Sequence, residues 1–178
     1  MALKCIILDY TPDREKRHGD VEDAVRAYMK EDVRIEYSPK GKPYIVGSRE
    51  DMHISVTTTG SKVLVALYEN PIGIDGEYIP RYDGWKTDYA ALAERFFSAE
   101  EAEYIRGEDP DSEKEKFLKI WVRKEAYVKC VGKTIAEFPH FSVVEGEKIL
   151  SRIGNVSVRK FNIRFDGCED YLFAIAGV

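Results

Sequence analysis

The chain has 178 residues, 44% apolar and 33% charged, with 12% aromatic side chains, which suits one folded domain or two small halves and excludes a disordered chain. A net charge of −5 excludes a protein built chiefly to grip duplex nucleic acid, but it leaves room for a local basic pocket that takes a phosphorylated small molecule. No stretch approaches the roughly 20 apolar residues that cross a bilayer, so neither membrane nor nucleic acid is expected as a partner.

In chain order, the opening from Met1 turns acidic at Asp9, too early for a signal peptide, and residues 4–10 read as a strand. Residues 20–30 carry Val21, Ala24, Val25 and Tyr28 at helical spacing. Residues 33–37 are extended, and Lys40-Gly41-Lys42-Pro43 makes a turn. Residues 54–58 and 63–67 pair as a hairpin around Gly60-Ser61. The cycle restarts after Asn70-Pro71 with a strand over 72–77. A helix over 88–97 follows, with Tyr89, Leu92, Ala93, Phe96 and Phe97 inward, then a second helix from Ser98 and a long one over 112–131. Strands are expected over 141–144, 156–165 and 171–176. The apolar runs 63–67 and 171–175 echo each other, which hints at two α+β halves of similar element order, 1–70 and 71–178.

Cys5, Cys130 and Cys168 are odd in number and lack a Cys-x-x-Cys spacing, which points to reduced thiols in the cytoplasm. His18, His53 and His140 are isolated, so carboxylates and lysines must carry any chemistry; His53 reads as a strand-end residue. On a strand Asp75 and Glu77 point to the same side. Two such carboxylates repel unless a cation intervenes, and a hard ion such as Mg²⁺ would relieve them; an acidic strand end is the other reading. Along the long helix Phe117, Ile120, Trp121, Val128 and Val131 form an apolar stripe. Lys124 lies within the stripe's run and must carry its charge to a wet or anionic pocket. Glu125 and Lys129 are four apart, either a surface pair or a metal-binding acid beside a phosphate-binding cation.

Gly73-Ile74-Asp75-x-Glu77 followed by Trp121-x-x-Lys124-Glu125-Ala126-x-x-Lys129 resembles the paired signature of the 4′-phosphopantetheinyl transferases, in their Sfp-type, surfactin-activating form. Arg95-Phe96-Phe97-Ser98-x-x-Glu101 and Gly41-Lys42-Pro43 match the same family in the same order. The resemblance implies an α+β fold of two similar halves in pseudo-twofold arrangement, with the site between them, and an expected monomer. It implies an enzyme that moves the 4′-phosphopantetheine arm of coenzyme A to a serine of an apo acyl or peptidyl carrier protein, with Mg²⁺, releasing adenosine 3′,5′-bisphosphate. By resemblance Asp75, Glu77 and Glu125 hold the metal; Glu125 alternatively takes the serine proton, and Lys129 contacts a coenzyme A phosphate.

Lys42 and Lys124 would flank the same pocket by resemblance, and Glu101 would stand near the metal or assist the base, although Ser98 and Glu101 also form a capping box. Thr57 and Thr58 occupy the places of a family Ser-His pair that meets the 3′-phosphate, so the histidine's charge is missing unless Arg17 or Arg26 compensates. Gly76 replaces an aliphatic residue and is expected to loosen the Asp75–Glu77 geometry. An acidic carrier would need a basic patch from Arg123, Lys124 and Lys133. A non-catalytic module that binds a carrier protein or coenzyme A is the rival reading, favoured by Thr58 and opposed by the intact acid set.

Overall fold

The apolar runs sort into two antiparallel sheets with a long helix laid across the second. The computed structural model describes residues 3–84, 86–107 and 109–178, so Met1 and Ala2 of the opening stretch lie outside the described residues. The first part of the chain runs β1 (Lys4–Asp9), α1 (Arg14–Met29), β2 (Arg34–Tyr37), β3 (Pro43–Val46), β4 (His53–Thr59) and β5 (Lys62–Tyr68). The second runs β6 (Ile72–Tyr78), α2 (Tyr89–Phe96), α3 (Ala99–Ile105), α4 (Pro110–Val131), β7 (Val144–Glu145), β8 (Lys148–Ile149), β9 (Arg152–Ile153), β10 (Val156–Lys160) and β11 (Tyr171–Gly177). One sheet has the order β1-β5-β4 and the other β6-β11-β10-β9, with β2-β3 and β7-β8 as separate hairpins. This is a mixed α+β fold, and among the described residues no helix is long and apolar enough to cross a membrane.

Helix α1 starts six residues before the apolar spacing begins. Asp13 accepts from the Lys16 amide and caps a first turn that is wholly polar and exposed, so hydrophobic periodicity is blind to it. The expected strand over 141–144 is mostly absent. A 3-10 segment, Ile135–His140, runs up to it, and Phe141 and Val143 plug the core beside α3 and α4, leaving Val144 to open the short β7. The expected strand over 156–165 stops at Lys160, after which Phe161, Ile163 and Phe165 turn onto the cluster around Phe173. Hydrophobic content gave these segments a strand signal, but their apolar side chains serve packing.

Two glycines of β6 set how closely its neighbours approach. A Cβ on Gly73 would lie 1.9 Å from the Ala126 carbonyl oxygen and 2.5 Å from the Cys130 amide nitrogen, so only glycine lets α4 rest on this strand. A Cβ on Gly76 would lie 2.2 Å from the Phe173 ring, and Phe173 is its cross-strand partner on β11. The aromatic ring fills the space a side chain would take, so Gly76 does not leave the Asp75–Glu77 segment loose as expected from sequence. Across the seam between sheets, Ser55 of β4 accepts from the Ile74 amide and Thr57 donates to Asp75, which ties β4 to β6.

Gly73→Ala is expected to lower stability by about 3 kcal/mol, the upper range for overpacking a rigid interface. Its clash is with backbone that cannot rotate away. Chemical denaturation measures this, and an unchanged midpoint would show that α4 does not need the glycine to dock.

Candidate functional site

Period-two alternation on β6 turns Gly73, Asp75 and Glu77 to the side that meets α4. Asp75 is 6% exposed. Its Oδ1 accepts from Thr57 Oγ1 at 3.1 Å and from Lys129 Nζ at 2.7 Å, and Lys129 also donates to the Ile74 carbonyl. Burial pushes the Asp75 carboxyl up, against the pull of Lys129 and Thr57, and the Gly76 amide also favours its charge. Its other oxygen, Oδ2, is buried and makes no hydrogen bond of acceptable geometry among the described residues. A buried carboxylate oxygen without a donor is costly, and the observation points to a cation-accepting position.

Glu77 and Glu125 complete the acidic set. Burial raises Glu77 most, the neighbouring Asp75 charge raises it further, and a hydrogen bond with Tyr82 opposes both. Burial also dominates at Glu125, with the charges of Asp75 and Glu77 adding to it and Lys129 opposing, and its carboxyl is pushed from 4.5 up to about 7. Glu125 on α4 thus feels both acids of β6 across the seam. Among the described residues no three of His, Cys, Asp and Glu close into a ready-made metal cluster. The Lys129 ammonium supplies the positive charge at Asp75. Hard oxygen donors, mutual repulsion and the bare Asp75 Oδ2 nevertheless fit a divalent cation such as Mg²⁺.

Beside these acids lies a cavity of about 290 Å³, lined by Lys42, Ser55, Glu125, Lys129 and Lys133, among others. Lys42 reaches across from the β2–β3 turn, where Gly41 has φ +80°, and donates to the Cys130 carbonyl at 2.8 Å. It thereby caps the last turn of α4, and burial lowers its pKa. Thr57 and Thr58 point to opposite sides of β4. Thr57 is bound to Asp75 and positions that acid, which corrects its expected place on a phosphate. Thr58 is exposed and lines a separate cavity of about 680 Å³ with Arg14, Arg17, His18 and Tyr37. Arg17 thus lines the same cavity as Thr58 while donating to the Thr11 and Pro12 carbonyls, whereas Arg26 is engaged by Glu22, Asp23 and the Val33 carbonyl. The two cavities share Gly41, Pro43 and Val56 along their border. His53 opens β4 opposite Tyr68, as a strand-end histidine should.

Two expected site residues point elsewhere. Lys124 and Glu101 are both 0% exposed and face each other, with Lys124 Nζ 2.6 Å from Glu101 Oε2 and 2.6 Å from the Phe141 carbonyl. The rings of Phe97, Phe138 and Phe141 surround the ammonium, Phe141 at 4.0 Å. Glu101 also accepts from the Ser98 amide and hydroxyl and from the Val143 amide, so the capping box is complete and both its oxygens are satisfied. Lys124 therefore does not enter the phosphate cavity, and Glu101 has no oxygen left for chemistry. The helical stripe revealed that Lys124 is buried but not which acid it meets. The expected basic patch loses Lys124 as well, and its Lys133 is paired with Glu137. Sequence reading missed Ser55 and Lys40, which line the smaller cavity, and Arg14 and His18, which line the larger. Ser55 was accessible through its two-residue spacing from Thr57.

The family model for the 4′-phosphopantetheinyl transferase superfamily matches residues 71–176. A 4′-phosphopantetheinyl transferase of Bacillus subtilis is 30% identical over 162 residues, covering 85% of this chain and 67% of its own length. HetI of Nostoc sp. is 34% identical over 116 residues, 62% of this chain and 46% of its own length. Sfp of Bacillus subtilis strain 168 is 32% identical over 107 residues, 60% of this chain and 45% of its own length. The chain thus spans less than half the length of the last two.

Two outcomes test this geometry. Lys124→Met leaves Glu101 buried without its cation and is expected to cost about 3 to 5 kcal/mol by chemical denaturation; a loss below 1 kcal/mol would put Lys124 outside the core network. Glu125 is raised in the folded state, so its carboxylate opposes folding as pH climbs from 4.5 to about 7. Without metal, the melting temperature of the native chain should fall more across that window than that of Glu125→Gln. Equal slopes would refute the raised carboxyl.

Proposed function

The chain belongs to the 4′-phosphopantetheinyl transferase superfamily, and on that membership we propose that it transfers the 4′-phosphopantetheine arm of coenzyme A to a serine hydroxyl of an apo acyl or peptidyl carrier protein, releasing adenosine 3′,5′-bisphosphate. The observation that carries this reading is the buried, donor-less Oδ2 of Asp75 in electrostatic reach of Glu77 and Glu125. A site that only bound a neutral group would not keep three desolvated carboxylates together. Asp75, Glu77 and Glu125 would hold Mg²⁺, which when bound neutralises charge on pyrophosphate oxygens.

The chain's own residues supply the remainder. Thr57 holds Asp75 in one orientation, so the acid does not have to reorganise when its ligand arrives. Lys129 and Lys42, both at the 290 Å³ cavity, present point charges to a diphosphate. Glu125, with a carboxyl near pKa 7 before metal binds, is the alternative acceptor for the proton of the attacking serine hydroxyl: a carboxylate that ligates the metal is a poor base, so it fills one role or the other. The cavity shared by Arg14, Arg17 and Thr58 is large enough for the nucleotide end of the cosubstrate. We also read the chain as two halves, 1–70 and 71–178. Because β4, β6 and α4 of one chain build the site, a monomer suffices, and the free cysteines suit the cytoplasm.

Incubation with apo carrier protein, coenzyme A and Mg²⁺ should add one phosphopantetheine mass to the carrier by intact mass spectrometry. Asp75→Asn keeps the shape but removes the charge, and it should reduce the rate by about 10²-fold or more, as loss of one preorganised electrostatic group does. Absence of transfer to fatty-acid, polyketide and peptide carriers alike, with coenzyme A still bound, would favour a non-catalytic binding module instead.

A further inference from the structure

Lys129 is an expected phosphate ligand that, like Thr57, sits on Asp75 of the metal set, and unlike Thr57 it carries a charge. Its ammonium is 2.7 Å from Asp75 Oδ1 and 3.2 Å from the Ile74 carbonyl. The two partners are unequal. Asp75 is fixed by Thr57 and its side chain is 8% exposed, whereas the Lys129 side chain is 30% exposed and borders the phosphate cavity. Burial and Thr57 hold the acid in place, and the more exposed lysine has open space on its cavity side.

We propose that Lys129 is an exchangeable countercation: it holds Asp75 when no divalent ion is bound, and a bound divalent ion releases it into the cavity to meet an anionic phosphate. This rests on the reading of Asp75, Glu77 and Glu125 as the cation-holding set. The physical reasons are three. Asp75 is buried, and a buried carboxylate is costly without a cation at its side, the place that Lys129 fills. A divalent ion at the same carboxylate repels the ammonium, so the two compete. The cavity next door already holds Lys42 and Lys133 at its wall, so phosphate binding there draws Lys129 in the same direction. Cation and phosphate are thus coupled through a single lysine, and the coupling acts in both directions.

The role differs from simple phosphate contact in a measurable way. A lysine that only touched phosphate would not influence metal binding in the absence of a phosphate ligand. A countercation must weaken it.

Mn²⁺ is titrated into the full metal-free chain at pH 8 without coenzyme A or carrier, and free ion is followed by electron paramagnetic resonance. Lys129→Met should bind Mn²⁺ about fivefold more tightly than the native chain, as expected for removing a competing ion pair of about 1 kcal/mol. Lys129→Arg, which keeps a cation, should not. Adding Asp75→Asn to Lys129→Met should abolish the gain. Unchanged or weaker binding by Lys129→Met, or a gain that survives loss of Asp75, would overturn the proposal.

A second measurement uses the native chain alone, so it does not depend on a variant folding. Mg²⁺ should raise the rate at which a small amine-acylating reagent labels Lys129, read by peptide mass spectrometry, and an unchanged rate would overturn the exchange. If transfer to carriers fails while these shifts occur, only the transferase reading falls. If transfer occurs without them, only the countercation falls.

Discussion

Negative charge held out of water, where a strand meets a helix, governs this structure. Asp75 is buried on β6 and Glu125 lies across the seam on α4; desolvation raises both, and the charge of Asp75 raises Glu125 further. Such an arrangement destabilises the folded chain unless positive charge enters the seam. Lys129 places a positive charge on Asp75 and Arg81 acts on Glu77, yet among the described residues one carboxylate oxygen of Asp75 has no donor. The functional reading follows from this imbalance: the seam is built for a ligand that brings more positive charge than the chain supplies.

Holding the seam together requires that β6 and α4 not slide or roll. Gly73 sets their separation, because backbone of α4 occupies the place of its missing side chain. The roll of α4 is fixed one residue away from Glu125 by Lys124, which is clasped by Glu101 and the Phe141 carbonyl inside a cage of three rings. Lys42 then crosses from the first part of the chain to cap the end of the same helix. Consecutive residues on α4 thus divide the work: Lys124 faces the core and Glu125 faces the site.

The acidic set was legible in the sequence for a local reason. Strand alternation puts Asp75 and Glu77 on one side, and a four-residue step stacks Glu125 with Lys129; spacing alone leaves each pair a plain surface feature as well, and the family resemblance is what joins them into one set. Partnerships over long separations were not legible. Glu101 and Lys124 are 23 residues apart, and only folding shows that each satisfies the other. Thr57 takes a phosphate contact from the family resemblance, and alternation does not correct it, because the pattern does not say which face of β4 meets β6. Gly76 looked like a weakness because its compensating ring, Phe173, lies on the last strand. In the fold, strands with two-residue alternation or a continuous buried run were recovered well. Residues 141–144 and 161–165 were misread because apolar side chains that plug a core look, in one dimension, like those of a ladder.

The account is tested most directly by anomalous diffraction from crystals soaked in Mn²⁺. It requires one strong peak bounded by the carboxylates of Asp75, Glu77 and Glu125. A peak confined to surface acids, or none at this seam in crystals that take up the ion elsewhere, would contradict it.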